Sequence, residues 1–243
     1  MTGRLSDTER AAAGLTTPSP LCVGIVDMHH DDGRYDLAAA KAGGIVALIS
    51  KATEGGDFVD KGYVRAAVEA KRAGLLFALY HFANGRDPLV QADHFLAHAA
   101  DHPEALLILD IEKNDRSTFG TMTLAQAVAF LERVHEKTGR WPVFYTYTSM
   151  LAGMMRGATE AQRAVLARCP LWVAQYGEMP QRVPAPWPTW DLWQYTDGPK
   201  YGPADRARFP RTTPGFVDPV QDRSCFRGTA DELAVWWKTA GLP

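Results

Sequence analysis

The chain has 243 residues, 46% of them hydrophobic and 22% charged, with a net charge of −2. That length suits one large core, and the nearly balanced charge creates no demand for a nucleic-acid or anionic-membrane partner. No run of about 18 apolar residues occurs, so no transmembrane helix is predicted.

Met1 to Pro20 carries Arg4, Asp7, Glu9 and Arg10, ends in Thr-Thr-Pro-Ser-Pro, and lacks the apolar segment of a signal peptide. It reads as a flexible leader, ahead of a single barrel domain over 21–243. Leu21 to Val26 is the first strand, ending at Asp27 and followed by Met28-His29-His30. Asp36 to Gly44 is an Ala-rich helix stopped by glycine. Ile45 to Ser50 is the second strand and runs into Lys51-Ala52-Thr53-Glu54-Gly55. A helix over Asp60 to Gly74 leads to a third strand, Leu75 to Leu79, then Tyr80-His81-Phe82. Pro88 to Ala100 is a helix.

The fourth strand is the stretch Leu106-Leu107-Ile108-Leu109-Asp110-Ile111-Glu112. Four apolar residues on a strand buried on both faces run straight into two acids. Side chains alternate along a strand, so Asp110 and Glu112 point one way, about 6–7 Å apart by strand rise, while Ile111 points back into packing. Like charges that close push one carboxyl toward its protonated form near neutral pH. A strand running out into solvent, with both acids hydrated, is the plain alternative.

Thr123 to Gly139 is a helix with Thr123 and Gln126 spaced as a capping box. Pro142 to Tyr147 is the fifth strand and Thr159 to Arg168 a poorly patterned helix. Pro170 to Gln175 and Trp190 to Tyr195 are strands, residues 198–221 a loop, and Asp231 to Ala240 a closing helix. Five strand–helix alternations followed by short-linked strands predict an α/β barrel of five βα units closed by about three more strands, with an open doubly wound sheet as the alternative. The three cysteines, Cys22, Cys169 and Cys225, are sparse and odd in number, so reduced thiols and hence synthesis in a cytoplasm are predicted, with one bridge left open.

In a parallel barrel, functional residues sit at the C-terminal strand ends. Here those ends carry Asp27, Lys51, Tyr80, Asp110 with Glu112, Tyr145, Gln175 with Tyr176, and Gln194 with Tyr195. Carboxylates, amides, phenols and a lysine around one mouth suit a hydroxyl-rich substrate such as a sugar chain. A phosphate is not suited, because no Gly-rich phosphate loop is present. Two metal readings compete weakly. His94 and His98 have zinc-ligand spacing, but no Glu follows His94; Asp27, His29 and His30 could serve a metal-dependent deacetylase. No cofactor and no metal ligand set is assigned.

Asp27-Met28-His29-His30, Lys51-Ala52-Thr53-Glu54-Gly55, Tyr80-His81-Phe82 with Gln91-Ala92-Asp93-His94-Phe95, Leu109-Asp110-Ile111-Glu112, Thr138-Gly139-Arg140-Trp141-Pro142, Leu171-Trp172-Val173-Ala174-Gln175-Tyr176 and Trp193-Gln194-Tyr195 occur in an order similar to that of glycoside hydrolase family 25 lysozymes. The resemblance spans residues 22–228. It implies a flattened TIM-like (β/α)5(β)3 barrel that cleaves the β-1,4 bond between N-acetylmuramic acid and N-acetylglucosamine in peptidoglycan. It also implies that the protein acts at the cell wall, in a phage endolysin or a bacterial enzyme, as a monomer. By the resemblance, Glu112 is the general acid/base, Asp110 its partner at the 2-acetamido group, and Asp27 the acid of the first strand. The fourth acid falls on Asp222 in Asp222-Arg223-Ser224-Cys225-Phe226-Arg227-Gly228, with Ser224 where the family has Asn, and Asp218 as the weaker alternative. Strand 1 departs from the family, with Met28-His29 after the acid. Lys51, Tyr80, Tyr145, Gln175, Gln194 and Tyr195 are the expected substrate contacts. A metal-dependent polysaccharide deacetylase and a non-catalytic wall-binding barrel are the rival functions.

Overall fold

A computed structural model of the chain describes residues 21–217, 221–226 and 228–242. The expected leader and Asp218 lie outside the described residues. Strands β1 (Leu21–Met28), β2 (Ala47–Glu54), β4 (Leu76–Phe82), β5 (Leu106–Asp110), β6 (Val143–Tyr147), β7 (Leu171–Ala174), β8 (Leu192–Thr196) and β9 (Asp222–Phe226) form a closed ring in that order. Neighbours from β1 to β8 pair in parallel, and β9 is antiparallel to both β8 and β1. The two-residue β3 (Phe58–Val59) adds to the outer end of β2 as a short hairpin.

Helices α1 (Leu37–Ala42), α2 (Tyr63–Ala73), α3 (Pro88–Ala99), α4 (Leu124–Thr138), α5 (Thr148–Arg156) and α6 (Glu160–Leu166) connect the parallel strands. Their ends follow from local chemistry. Asp36 accepts two N–H groups at the start of α1, and Asp87 does the same for α3, whose first residue is Pro88. Thr123 and Gln126 form the reciprocal capping box expected for α4. Gly74 and Gly139 close α2 and α4 at φ 67° and 70°, a region that favours glycine. The chain is thus five βα units followed by three strands, as the sequence predicts. Helix α5 and strands β3 and β9 are the elements that sequence reading did not place.

Strand alternation divides the core into two layers. On β5, Leu107 and Leu109 face outward and pack with Phe95, Phe130 and Val134 of the helices. Leu106 and Ile108 face inward, with Ile25, Ala47, Ile49, Leu192 and Phe226. The closing helix α7 (Ala230–Thr239) contributes Leu233 and Trp237 to this inner layer, and the Trp237 indole donates to the Phe77 carbonyl at 3.0 Å. The lower barrel is therefore apolar and filled. Inward positions turn polar toward the upper strand ends, and the buried Ser224 below them accepts the Trp172 indole N–H at 3.0 Å.

Cys225 is disulfide-bonded, whereas Cys169 is a free, buried thiol. The expectation of reduced cysteines is corrected at Cys225, because sequence spacing does not reveal which strands a barrel brings together. The inference of a cytoplasmic setting from reduced thiols falls with it. No helix among the described residues is long and apolar enough to cross a membrane.

Candidate active site

The upper end of the barrel opens into a cleft of about 640 Å³ lined by Asp27, Lys51, Tyr80, Asp110, Glu112, Tyr145, Trp172, Tyr176, Gln194 and Asp222, with His30, Glu54, Phe58, Phe82 and Asn114 at its edge. Asp110 continues the inward series Leu106, Ile108, and Glu112 follows it just past the strand end. Ile111 is fully buried among the outer-layer side chains. The two acids therefore share a face, as alternation requires.

Asp110 is only 7% exposed, and its Oδ1 has no hydrogen-bond partner. Burial pushes its carboxyl well above the usual range, the Glu112 charge adds to this, and Lys51 opposes it. Burial also raises Glu112, and the Tyr145 hydroxyl oxygen lies 3.1 Å from its Oε1. Burial is the first cause at both acids, and the repulsion between them adds to it.

A second acid pair stands across the ring. Asp27 and Asp222 are direct partners in the antiparallel β1–β9 register. Burial raises Asp27 well above the carboxylate range, Asp222 raises it further, and a hydrogen bond from Gln194 opposes this. Asp222 is pushed up to about 7 by burial and then by Asp197, Asp32 and Glu112. Gln194 bridges the pair, its Nε2 donating to Asp27 Oδ2 at 3.0 Å and Asp222 Oδ2 at 3.1 Å. Its Oε1 accepts from Tyr145 at 2.8 Å and Tyr176 at 3.3 Å. Tyr80 and Tyr145 are held as phenols, raised by burial and then by neighbouring carboxylates.

Lys51 is bound to Glu54 at 2.6 Å and lies 4.7 Å from the centre of the Phe82 ring. Asn114 donates to the other Glu54 oxygen at 3.3 Å. His30 Nδ1 meets the buried Asp60 at 2.6 Å. Among the described residues, His29, His30 and Asp31 bring possible ligand atoms within 4.8 Å. His29 Nδ1, however, accepts the Asp31 N–H at 3.2 Å, which puts the neutral ring's proton on Nε2 rather than a lone pair for an ion. Asp27 is turned to Gln194 and does not join them. His94 and His98 sit on α3, where His94 Nε2 meets the Phe58 carbonyl at 3.0 Å and His98 Nδ1 meets the Tyr63 hydroxyl at 3.3 Å.

The sequence profile of glycosyl hydrolases family 25 matches residues 26–202. The chain belongs to glycosyl hydrolases family 25. Lysozyme M1 of Streptomyces globisporus is 30% identical over 199 residues, which cover 76% of this chain and 66% of that protein. The N,O-diacetylmuramidase of Chalaropsis is 28% identical over 69% of this chain and 84% of its own length. The crystal structure of the Streptomyces coelicolor lysozyme superposes with a TM-score of 0.73 at 26% identity, covering 91% of this chain and 98% of that one. The family 25 barrel expected from the sequence is the fold found.

Within this family 25 barrel, eight of the ten expected site residues line the cleft: Asp27, Lys51, Tyr80, Asp110, Glu112, Tyr145, Gln194 and Asp222. Gln175 and Tyr195 do not. Tyr195 is fully buried outside the ring, against Trp193 and Phe209, and its hydroxyl donates to the Pro210 carbonyl at 2.6 Å. Gln175 donates to the Glu178 carbonyl at 2.6 Å. The reason is parity. Leu192 and Gln194 face inward, so Tyr195 faces out; Trp172, Ala174 and Tyr176 face inward, so Gln175 does not. Tyr176 is the cleft residue that Gln175 displaced in the sequence reading. Glu54 and Asn114 were missed as a pair, since residues 60 apart reveal no contact by spacing.

Proposed function

We propose that the chain is a peptidoglycan muramidase that cleaves the β-1,4 bond between N-acetylmuramic acid and N-acetylglucosamine, with Glu112 as general acid/base and Asp110 assisting the 2-acetamido group. The observation that carries this reading is the pair itself: two acids on one strand face in a sugar-sized cleft, both raised by burial. Lysozyme and muramidase relatives support the substrate class.

Two buried carboxyls this close hold one proton between them near neutral pH. Lys51 opposes the rise at Asp110, and the reaction draws on the state with the charge on Asp110 and the proton on Glu112. Glu112 donates that proton to the glycosidic oxygen as the bond to C1 breaks and positive charge develops on the sugar. Ionised Asp110 accepts the acetamido N–H and orients its carbonyl oxygen to attack C1. Glu112 then takes a proton from water, which opens the ring so formed and returns the β configuration. The exposed Tyr176 offers a flat face to a sugar ring, and Tyr80 a phenol donor. The chain is read as acting on glycan strands as a monomer.

The test is product analysis on purified cell walls. New reducing ends that borohydride converts to muramitol, appearing first as the β anomer, are expected. Glucosaminitol would overturn the bond assignment, and an α anomer would favour an inverting path with Asp27 or Asp222 as base. Acetate released without chain cleavage would favour a deacetylase, and wall binding at constant turbidity a binding barrel.

A further inference from the structure

The Gln194 side chain is 1% exposed and has no spare hydrogen-bonding capacity. An amide offers two N–H donors and two carbonyl lone pairs. Here the donors go to Asp27 and Asp222, and the lone pairs to Tyr145 and Tyr176. Burial keeps both tyrosines as phenols with a proton to donate, which turns the amide oxygen toward them and the amide nitrogen toward Asp27 and Asp222. Gln194 is therefore not a free substrate contact, the role the sequence suggested.

The consequence falls on Tyr145. Its oxygen lies 2.8 Å from Gln194 Oε1 and 3.1 Å from Glu112 Oε1, yet a phenol carries one proton. Both neighbours cannot receive it. We propose that Gln194 is a positioning residue of the cleavage reaction: by accepting the Tyr145 O–H hydrogen bond it leaves the Tyr145 oxygen an acceptor toward Glu112, so that only the carboxylic acid form of Glu112 completes the contact. Glu112 thereby keeps the proton it delivers. Glu112 is faced by Asp110 from its own strand, Tyr145 from β6, Tyr176 after β7, Asp222 from β9 and Asp27 from β1. Lys51 and Tyr80 stand beyond Asp110 on β2 and β4. Of these, Tyr145 is the phenol in hydrogen-bond contact with Glu112, and Gln194 sets its polarity.

The inference rests on the muramidase reading, and pH profiles of kcat/KM on wall glycan test it. The alkaline limb reports loss of the Glu112 proton. Gln194→Met frees the phenol to donate to the Glu112 carboxylate and should move that limb down by about one pH unit, the effect of one hydrogen bond to a charged group. Tyr145→Phe removes the acceptor and should also move the limb down. Adding Gln194→Met to Tyr145→Phe should move it no further. A limb that rises in Tyr145→Phe overturns the proposal, because it means the phenol donates to Glu112 in the native enzyme. An unmoved limb in folded Gln194→Met does so too. If Gln194→Met does not fold, the sign of the Tyr145→Phe shift decides alone. A wild-type chain that leaves walls uncleaved overturns the muramidase reading and this inference together, whereas active wild type with either contrary shift overturns only the inference.

Discussion

Asp222→Asn should stabilise the fold at neutral pH. The folded carboxyl sits at about 7 against an ordinary 3.8. Below pH 4 it is protonated in both states and carries no penalty. Between those values the unfolded chain ionises while the folded chain keeps its proton, so stability falls as pH rises. Above pH 7 the penalty is complete, and at about 1.4 kcal/mol per unit the gap from 3.8 to about 7 gives about 4 kcal/mol. This is a ceiling, since Asp222 is partly open to water, which screens its charge. Asparagine removes the ionisation and still offers a carbonyl oxygen to Gln194 Nε2. Thermal melts of both proteins from pH 4 to pH 8 are the assay. The variant should match wild type near pH 4 and melt several degrees higher at pH 8, at about 2–4 °C per kcal/mol for a chain of this size. A variant less stable than wild type at pH 8, or an offset independent of pH, would refute the reasoning. Reduced wall cleavage alongside the gain would mark Asp222 as an acid kept for function against stability.

Two further outcomes follow from the same geometry. Lys51→Met removes the cation that favours ionised Asp110, so the acid limb of the kcat/KM profile should move to higher pH and activity at pH 6 should fall about tenfold; an unmoved acid limb would detach Lys51 from Asp110. Tyr195→Phe loses a buried hydrogen bond to the Pro210 carbonyl and should lower stability by about 1–2 kcal/mol while leaving kcat/KM unchanged; a tenfold loss of kcat/KM in the folded variant would return Tyr195 to the substrate site.

The strand that carries Asp110 into Glu112 was legible because its chemistry is local. Leu106 to Glu112 states its own burial and, by alternation, the shared direction of Asp110 and Glu112. Helix ends were legible for the same reason, as at Thr123 with Gln126 and at Gly139. What stayed hidden depends on register. At the ends of β7 and β8, adjacent polar residues compete for one inward position, and only the phase of the whole strand selects Tyr176 over Gln175 and Gln194 over Tyr195. Strand β9 has a charged start and no clear alternation of its own, so its antiparallel return, and with it the facing of Asp222 and Asp27, follows from barrel closure. The Gln194 bridge joins residues 167 positions apart and has no local signal. Resemblance to the family supplied Asp222 before the geometry could.

In the proposed reaction Glu112 delivers the proton that breaks the glycosidic bond. Release of muramic-acid reducing ends from purified walls by Glu112→Gln, with its melt and circular dichroism compared with wild type, tests it most directly. A folded variant slowed at least about a thousandfold is the predicted result. A folded variant that cleaves walls at the wild-type rate would contradict the account.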